Sequence, residues 1–427
     1  MDRKKGVTPK AITDIKLSSP KKLELDNGIP LYITSGGSQE MSKIEIVFEA
    51  GSYYQELSGT SYLLGRMMKV GTKSYTSEDI DNIVDGHGAL FSAIPEKDSL
   101  IVSLTTLNKH LPALMPVLAE VICSCTFPQS EYDQLVNDSI HDLTIDRQKV
   151  KNRGFLEFQN YIYGLNSSYR SISNREEYDL LNRDIVVDFY HHHIIPSKCK
   201  IFVCGLPDDN IKDVLNKYLG HQWRENIIIE PSKACAIPVK PDRYYIDIPD
   251  AMQSAIIMGS EVPNKNDKYY HEMDVLNTVL GGYFGSRLMA NIREDKGYTY
   301  GVHSHIVTLK HFSYLYVSTD IAKGYTDLVF DEIYKEFKKL REELISDEEL
   351  DKVRSNMLGS LLGSIDGSIS QGERWRTSIS NGVYPEFFED NIHIINTVKA
   401  STLRELANKY LREDQFIEVV TGHEENK

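Results

Sequence analysis

The feature that most constrains this chain is that it reads twice. An apolar stripe at helical spacing, Leu111, Leu114, Leu118 and Val121, returns as Phe330, Ile333, Phe337 and Leu340, with Phe330 lying 219 residues after Leu111. Val136 and Ile140 return as Val353 and Met357, and Gly205, closing a strand, returns as Gly422, both at an offset of 217. A strand near Ile46 matches one near Ile256 at 210, with loop length absorbing the difference. Blocks in one order at nearly one offset predict a duplication, two α+β halves of similar topology. The length of 427 residues fits two large domains better than one.

The predicted elements follow that plan. Residues 1–22 form a polar, lysine-rich extension. Leu23 to Ile33 reads as a hairpin, with Asn27-Gly28 supplying the positive φ of a tight turn. Ile44, Ile46 and Phe48 alternate with charged or smaller residues, the pattern of a half-buried strand. Tyr62 to Lys69 is a short helix, and Ile201 to Cys204 a strand ending at Gly205. Pro231, Pro238 and Pro241 interrupt regular structure at the join. The expected organisation is therefore an extension (1–22), a first domain (23–230), a linker (231–245) and a second domain (246–427).

Charge and composition narrow the function. Lys and Arg number 48 against 62 Asp and Glu, a net charge of −14 that repels phosphate backbones and anionic lipid. The most apolar stretch, Ala113 to Cys125, contains Pro116 and Glu120 and is too short to cross a bilayer. No apolar run follows the charged start, so neither secretory signal nor membrane anchor is expected. Five cysteines without a Cys-x-x-Cys fit reduced thiols in a cytoplasmic compartment.

Obvious catalytic patterns are missing. His191-His192-His193 sits where a helix ends, a position that favours imidazole beside the dipole, and consecutive residues point in different directions. His303 and His305 share a strand face without a third ligand nearby. Neither a Gly-x-Ser-x-Gly elbow nor a phosphate loop occurs.

The informative segment runs from Leu280-Gly281-Gly282 through Ser286-Arg287-Leu288 to Arg293-Glu294-Asp295-Lys296-Gly297-Tyr298-Thr299-Tyr300. With Leu25-Asp26-Asn27-Gly28, Glu49-Ala50-Gly51-Ser52 and Pro249 to Ser254 in the right order, the chain resembles the insulinase/pitrilysin family of zinc peptidases, the inverzincins. That resemblance implies an α+β fold of two tandem homologous domains. Each is a mostly antiparallel sheet packed with helices, the mitochondrial processing peptidase-like metallohydrolase architecture.

For chemistry the resemblance cuts the other way. The family's His-x-x-Glu-His falls, without a gap, on Tyr62-Leu63-Leu64-Gly65-Arg66. Tyr62 and Arg66 replace the two histidines and Gly65 the glutamate base; a third ligand falls around Asp138 to Asp142. A guanidinium is a permanent cation that repels Zn²⁺, and a glycine cannot take a proton from water. No metal or cofactor is expected in this chain. Arg293 and Tyr300 keep the seven-residue spacing of the family's pair that reaches the active site in the other domain to hold substrate and oxyanion. A competing reading pairs Arg293 with Glu294 or Asp295 and makes Tyr300 a strand aromatic; Tyr298 is a rival donor.

The resemblance implies a non-catalytic, complementing subunit of a heterodimeric peptidase. Zinc and base would come from a partner of the same family, Arg293 and Tyr300 from this chain, and the substrate would be an unfolded or extended peptide. The alternative is a scaffold or peptide-binding member with no role in proteolysis. A third reading, a self-sufficient peptidase with a displaced metal site at His87, His141 or His191 to His193, ranks below both.

Overall fold

The computed structural model describes residues 15–221, 223 and 237–422. The first half opens with β1 (Lys21–Glu24), β2 (Pro30–Ser35) and β3 (Met41–Phe48), then α1 (Thr60–Met67) and α2 (Ser77–Gly86). β4 (Leu90–Pro95) and β5 (Leu100–Leu107) precede four helices: α3 (Leu111–Cys123), α4 (Gln129–Gln148), α5 (Val150–Tyr163) and the short α6 (Arg175–Asp179). It closes with α7 (Arg183–His193), β6 (Cys199–Gly205) and α8 (Ile211–Leu215).

The second half runs β7 (Arg243–Ile246), β8 (Gln253–Glu261), α9 (Tyr270–Asn277), β9 (Thr299–Thr308) and β10 (Ser313–Ala322). Then come α10 (Thr326–Glu342), α11 (Asp347–Gly363), α12 (Gly367–Ser380), α13 (Phe387–Thr397), α14 (Ala400–Tyr410) and β11 (Ile417–Thr421). Between α9 and β9 the chain makes two π-helical segments, Thr278–Gly282 and Met289–Asp295.

The duplication is visible strand by strand. The first sheet has the order β1-β2-β6-β3-β5-β4 and the second β7-β11-β8-β10-β9, the same order without β1. In each, a single pair is parallel, β2 with β6 and β7 with β11. Register fixes the equivalence: Ile44 pairs with Val203 and Ile256 with Val420. Ile44 is thus the counterpart of Ile256, two residues from the expected Ile46, and a shift of two keeps the same sheet face. Gly205 and Gly422 both adopt positive φ, +117° and +77°.

Residues 231–236 of the predicted linker, Pro231 included, lie outside the described residues. Its last residues, Arg243 to Tyr245, belong to β7.

The hairpin of β1 and β2 turns at Gly28, with φ +87°. One face of each sheet takes the helix layer. Ile44, Ile46 and Phe48 meet Leu63, Leu64, Leu114 and Leu118 in the first core, and Ile256, Met258 and Val317 meet Phe330, Ile333 and Phe337 in the second.

The other face of each sheet is covered by a helix from the opposite half. α5 packs on β8 and β11, and α12 on β6 and β2. Their ranges lie 217 residues apart at both ends, so the exchange is itself part of the duplication. α12 brings charge: Arg376 pairs with Glu45 at 3.2 Å, and Lys43 bridges Glu45 and Glu373. Glu45, which alternation places outward on a half-buried strand, is only 3% exposed because α12 lies over it. α5 brings aromatic rings instead, Phe155 against Tyr316 and Phe158 against Tyr314. Among the described residues no helix is long and apolar enough to cross a membrane.

Each exchanged helix approaches its sheet through a glycine. A Cβ on Gly372 would lie 2.0 Å from Cys204 Sγ, and one on Gly154 would lie 2.7 Å from Ile257 Cδ1. Helix propensity alone makes Gly→Ala stabilising by about 1 kcal/mol. We expect Gly372→Ala to destabilise by about 1–3 kcal/mol instead, because the helix must lift from the sheet. Gly359→Ala on the open face of α11, where nothing lies within 4 Å, should keep the stabilising sign. Urea denaturation of the two variants checks the opposition.

Candidate functional site

α1 carries Tyr62, Gly65 and Arg66, the residues on which the resemblance places the metal motif. It starts from Gly59 in a left-handed conformation (φ +93°), where a Cβ would strike Ile172 Cδ1 at 2.2 Å. Leu63, Leu64 and Met67 enter the core. Tyr62 and Arg66, one turn apart, share the exposed face, with Tyr62 39% exposed. Gly65 is buried, and a Cβ there would lie 2.8 Å from Pro95 Cδ and 3.4 Å from Ala93 O. β4 therefore closes over the place of the glutamate base.

The third-ligand window on α4 offers Ser139, buried, between the exposed Asp138 and Asp142. Tyr178 faces this window, its hydroxyl pushed up to about 12 by burial, with the Tyr62 hydroxyl and Asp142 adding to the shift. These residues do not fit zinc: a phenol, a glycine and a guanidinium supply neither a neutral imidazole pair nor a base. Among the described residues no group of three His, Cys, Asp or Glu is placed to hold a metal ion.

Beside Tyr62 lies a cavity of about 330 Å³ whose lining includes Gln55, Ser61, Lys97, Arg170 and Tyr178. Lys97 donates to Tyr169 O at 2.6 Å and Ser171 Oγ at 3.0 Å, and burial pulls its ammonium down to about 8. Arg170 pairs with Glu177 at 2.8 Å. No sequence motif marks Lys97 or Arg170; only the fold brings them next to α1.

Arg293 and Tyr300 sit elsewhere, flanking the turn between the second π-helical segment and β9. Arg287 anchors that region through two hydrogen bonds to Glu349, at 2.8 and 2.9 Å. Asn291 donates to Glu332 and Glu336 at 2.8 and 2.7 Å. Gly297 makes the turn at φ +68°, and Thr299 Oγ1 donates to Asp320 O at 2.7 Å, fixing the start of the strand.

Arg293 lies over the Phe284 ring at 4.7 Å. Among the described residues no carboxylate comes within 4.0 Å of its guanidinium, so the pairing with Glu294 or Asp295 does not form. Tyr298 packs against Tyr325 with ring centroids 5.0 Å apart, whereas Tyr300 on the edge strand is 95% exposed. Neither Arg293 nor Tyr300 lines the cavity at Tyr62. The structure thus gathers Tyr62, Gly65 and Arg66 on one helix and leaves Arg293 and Tyr300 on a separate surface.

The histidines divide. His191 is exposed, but His193 is buried in the core, stacked on Phe189 at 4.4 Å with Nδ1 2.7 Å from Glu49 O. His303 and His305 lie 6.2 Å apart, and His87 and His110 5.0 Å apart between ring centroids. His141 is exposed on α4.

Comparison with known proteins places the family. A family model described as insulinase (peptidase family M16) matches residues 32–153, and one described as the peptidase M16 inactive domain matches 181–357. The Bacillus subtilis protein called uncharacterized zinc protease YmxG is 22% identical over 423 residues, covering 94% of this chain and 98% of its own. The Neurospora crassa mitochondrial-processing peptidase subunit beta is 20% identical over 433 residues, covering 94% and 87%. A crystal structure of a peptidase M16 inactive domain from Pseudomonas fluorescens superposes with a TM-score of 0.82 at 19% identity, over 95% of this chain and 98% of that one.

The chain belongs to the insulinase (M16) peptidase family. Residues 181–357 carry its inactive domain, and among the described residues no group of side chains is placed to hold a metal ion.

The closed base position yields a test. Gly65→Glu should destabilise the protein by about 1–3 kcal/mol, since Pro95 must move. Tyr62→His with Arg66→His, on the exposed face, should change stability by less than about 0.5 kcal/mol. Thermal melts of both separate the two cases.

Proposed function

We propose that this chain is the complementing subunit of a two-chain zinc peptidase. It lends Arg293 and Tyr300 to a zinc site carried by a partner of the same family. The partner holds the metal and the base; this chain holds an extended peptide and stabilises the oxyanion. The observation that carries the reading is the near-complete exposure of Tyr300, a phenol on an edge strand whose neighbour Tyr298 is packed away. Among the described residues no hydrogen-bond partner meets that hydroxyl. Arg293, stacked on Phe284 without an acid partner, keeps its guanidinium for an anion or a carbonyl oxygen.

The similarity to a protein named as one subunit of a processing peptidase supports paired work. The four described cysteines are free thiols, which fits a reducing, cytoplasmic setting.

The chemistry asked of this chain is limited. A hydroxyl and a cation aimed where charge gathers on the carbonyl oxygen lower the barrier without moving a proton themselves. Purified alone, the chain should not cleave peptides; mixed with a zinc-bearing family partner, it should. Tyr300→Phe or Arg293→Ala should lower the rate of the mixture by about 10²–10³-fold while leaving circular dichroism unchanged. A rate indifferent to both changes would make the chain a scaffold.

A further inference from the structure

A second, open cleft of about 660 Å³ is lined by residues of α9, α11, α12 and α13. That volume is in the range of small-ligand sites. Its walls carry opposed charges that do not meet. Asp274 on α9, Lys265 in the segment before α9 and Arg374 on α12 all line it. Among the described residues, Asp274 and Lys265 have neither a hydrogen-bond partner nor an ion pair within 4.0 Å for their charged groups. Arg374 donates to Ser364 Oγ at 2.5 Å and lies over Phe388 at 5.5 Å, with no carboxylate in reach. The other acid on the wall, Glu373, is taken by Lys43. Asn391, also lining, has a buried Oδ1 without a partner.

Each charge senses the protein around it. Asp274 keeps some exposed surface yet is surrounded by protein, as befits a group on a cleft floor, and burial pushes its carboxyl up to about 6 against the pull of Lys265. Burial and the nearby Arg374 push the Lys265 ammonium down. A charge partly withdrawn from water and left without a partner costs free energy. The simplest relief, a direct Asp274–Lys265 pair, is not taken. A guest with a cation at one end and an anion at the other would satisfy both walls at once.

We propose that this cleft binds a small zwitterion of the amino-acid class, a free amino acid or a short peptide with both termini unblocked. Its ammonium group lies against Asp274 and its carboxylate against Lys265 and Arg374. The bound molecule lies between α12, which rests on the first sheet, and α9, α11 and α13, which pack with the second. This inference does not depend on Arg293 or Tyr300.

Calorimetric titration of the full chain with trialanine, N-acetyl-trialanine and trialanine amide tests it. Trialanine should bind, and blocking either end should weaken binding about tenfold or more, the loss of one charged hydrogen bond. Asp274→Asn should weaken trialanine to the level of the N-acetyl form and leave the N-acetyl form unchanged. Without ligand, Asp274→Asn should melt at the same temperature or higher, since it removes an unpaired charge partly withdrawn from water. No trialanine binding at about 10 mM, equal binding of all three forms, or a lowered melting temperature of Asp274→Asn would overturn the proposal.

Discussion

The structure depends on a reciprocal helix exchange. Each sheet has two faces to cover, and the helices of its own half cover only one. α12 covers the second face of the first sheet and α5 that of the second, each through a glycine that lets the backbone approach. Neither half completes its burial alone, so the two are coupled before any contact between loops is counted. The β9–β10 hairpin adds to this. Lys310 N donates to Asp98 at 2.8 Å, and His311 stacks on Tyr53 at 4.5 Å.

Much of this was legible in the sequence. The 217-residue offset marks equivalent helices with little drift, because α4 to β6 and α11 to β11 start the same distance apart, Gln129 to Cys199 and Asp347 to Ile417. The strand containing Ile44, Ile46 and Phe48 declared itself by alternation. What alternation could not give is the partner of its polar face. Lys43 and Glu45 read as solvent-facing and are covered, because their counterions Glu373 and Arg376 lie more than three hundred residues away in sequence. His193 is similar: a helix-end histidine looks external until the fold places Phe189 and Tyr54 on its ring.

The expectation for the metal positions rested on a local motif. Tyr62, Gly65 and Arg66 lie within one turn and a half of a single helix, so helical geometry alone puts Tyr62 and Arg66 on one face. The closure of β4 over Gly65 is not local, and it makes the loss of the base a packed feature: Pro95 fills the space a larger side chain would need. The charged cleft around Asp274, Lys265 and Arg374 left no sequence signature, because its residues come from α9, the segment before it, α11, α12 and α13 with no fixed spacing.

On this account a family fold gave up its own metal chemistry and kept a donor surface facing outward. The most direct check is a structure of this chain with its zinc-bearing partner and a bound peptide. The account predicts the Tyr300 hydroxyl within hydrogen-bonding distance of the carbonyl oxygen nearest the partner's metal, with Arg293 on the peptide. A complex in which Tyr300 faces solvent, far from the peptide, would contradict it.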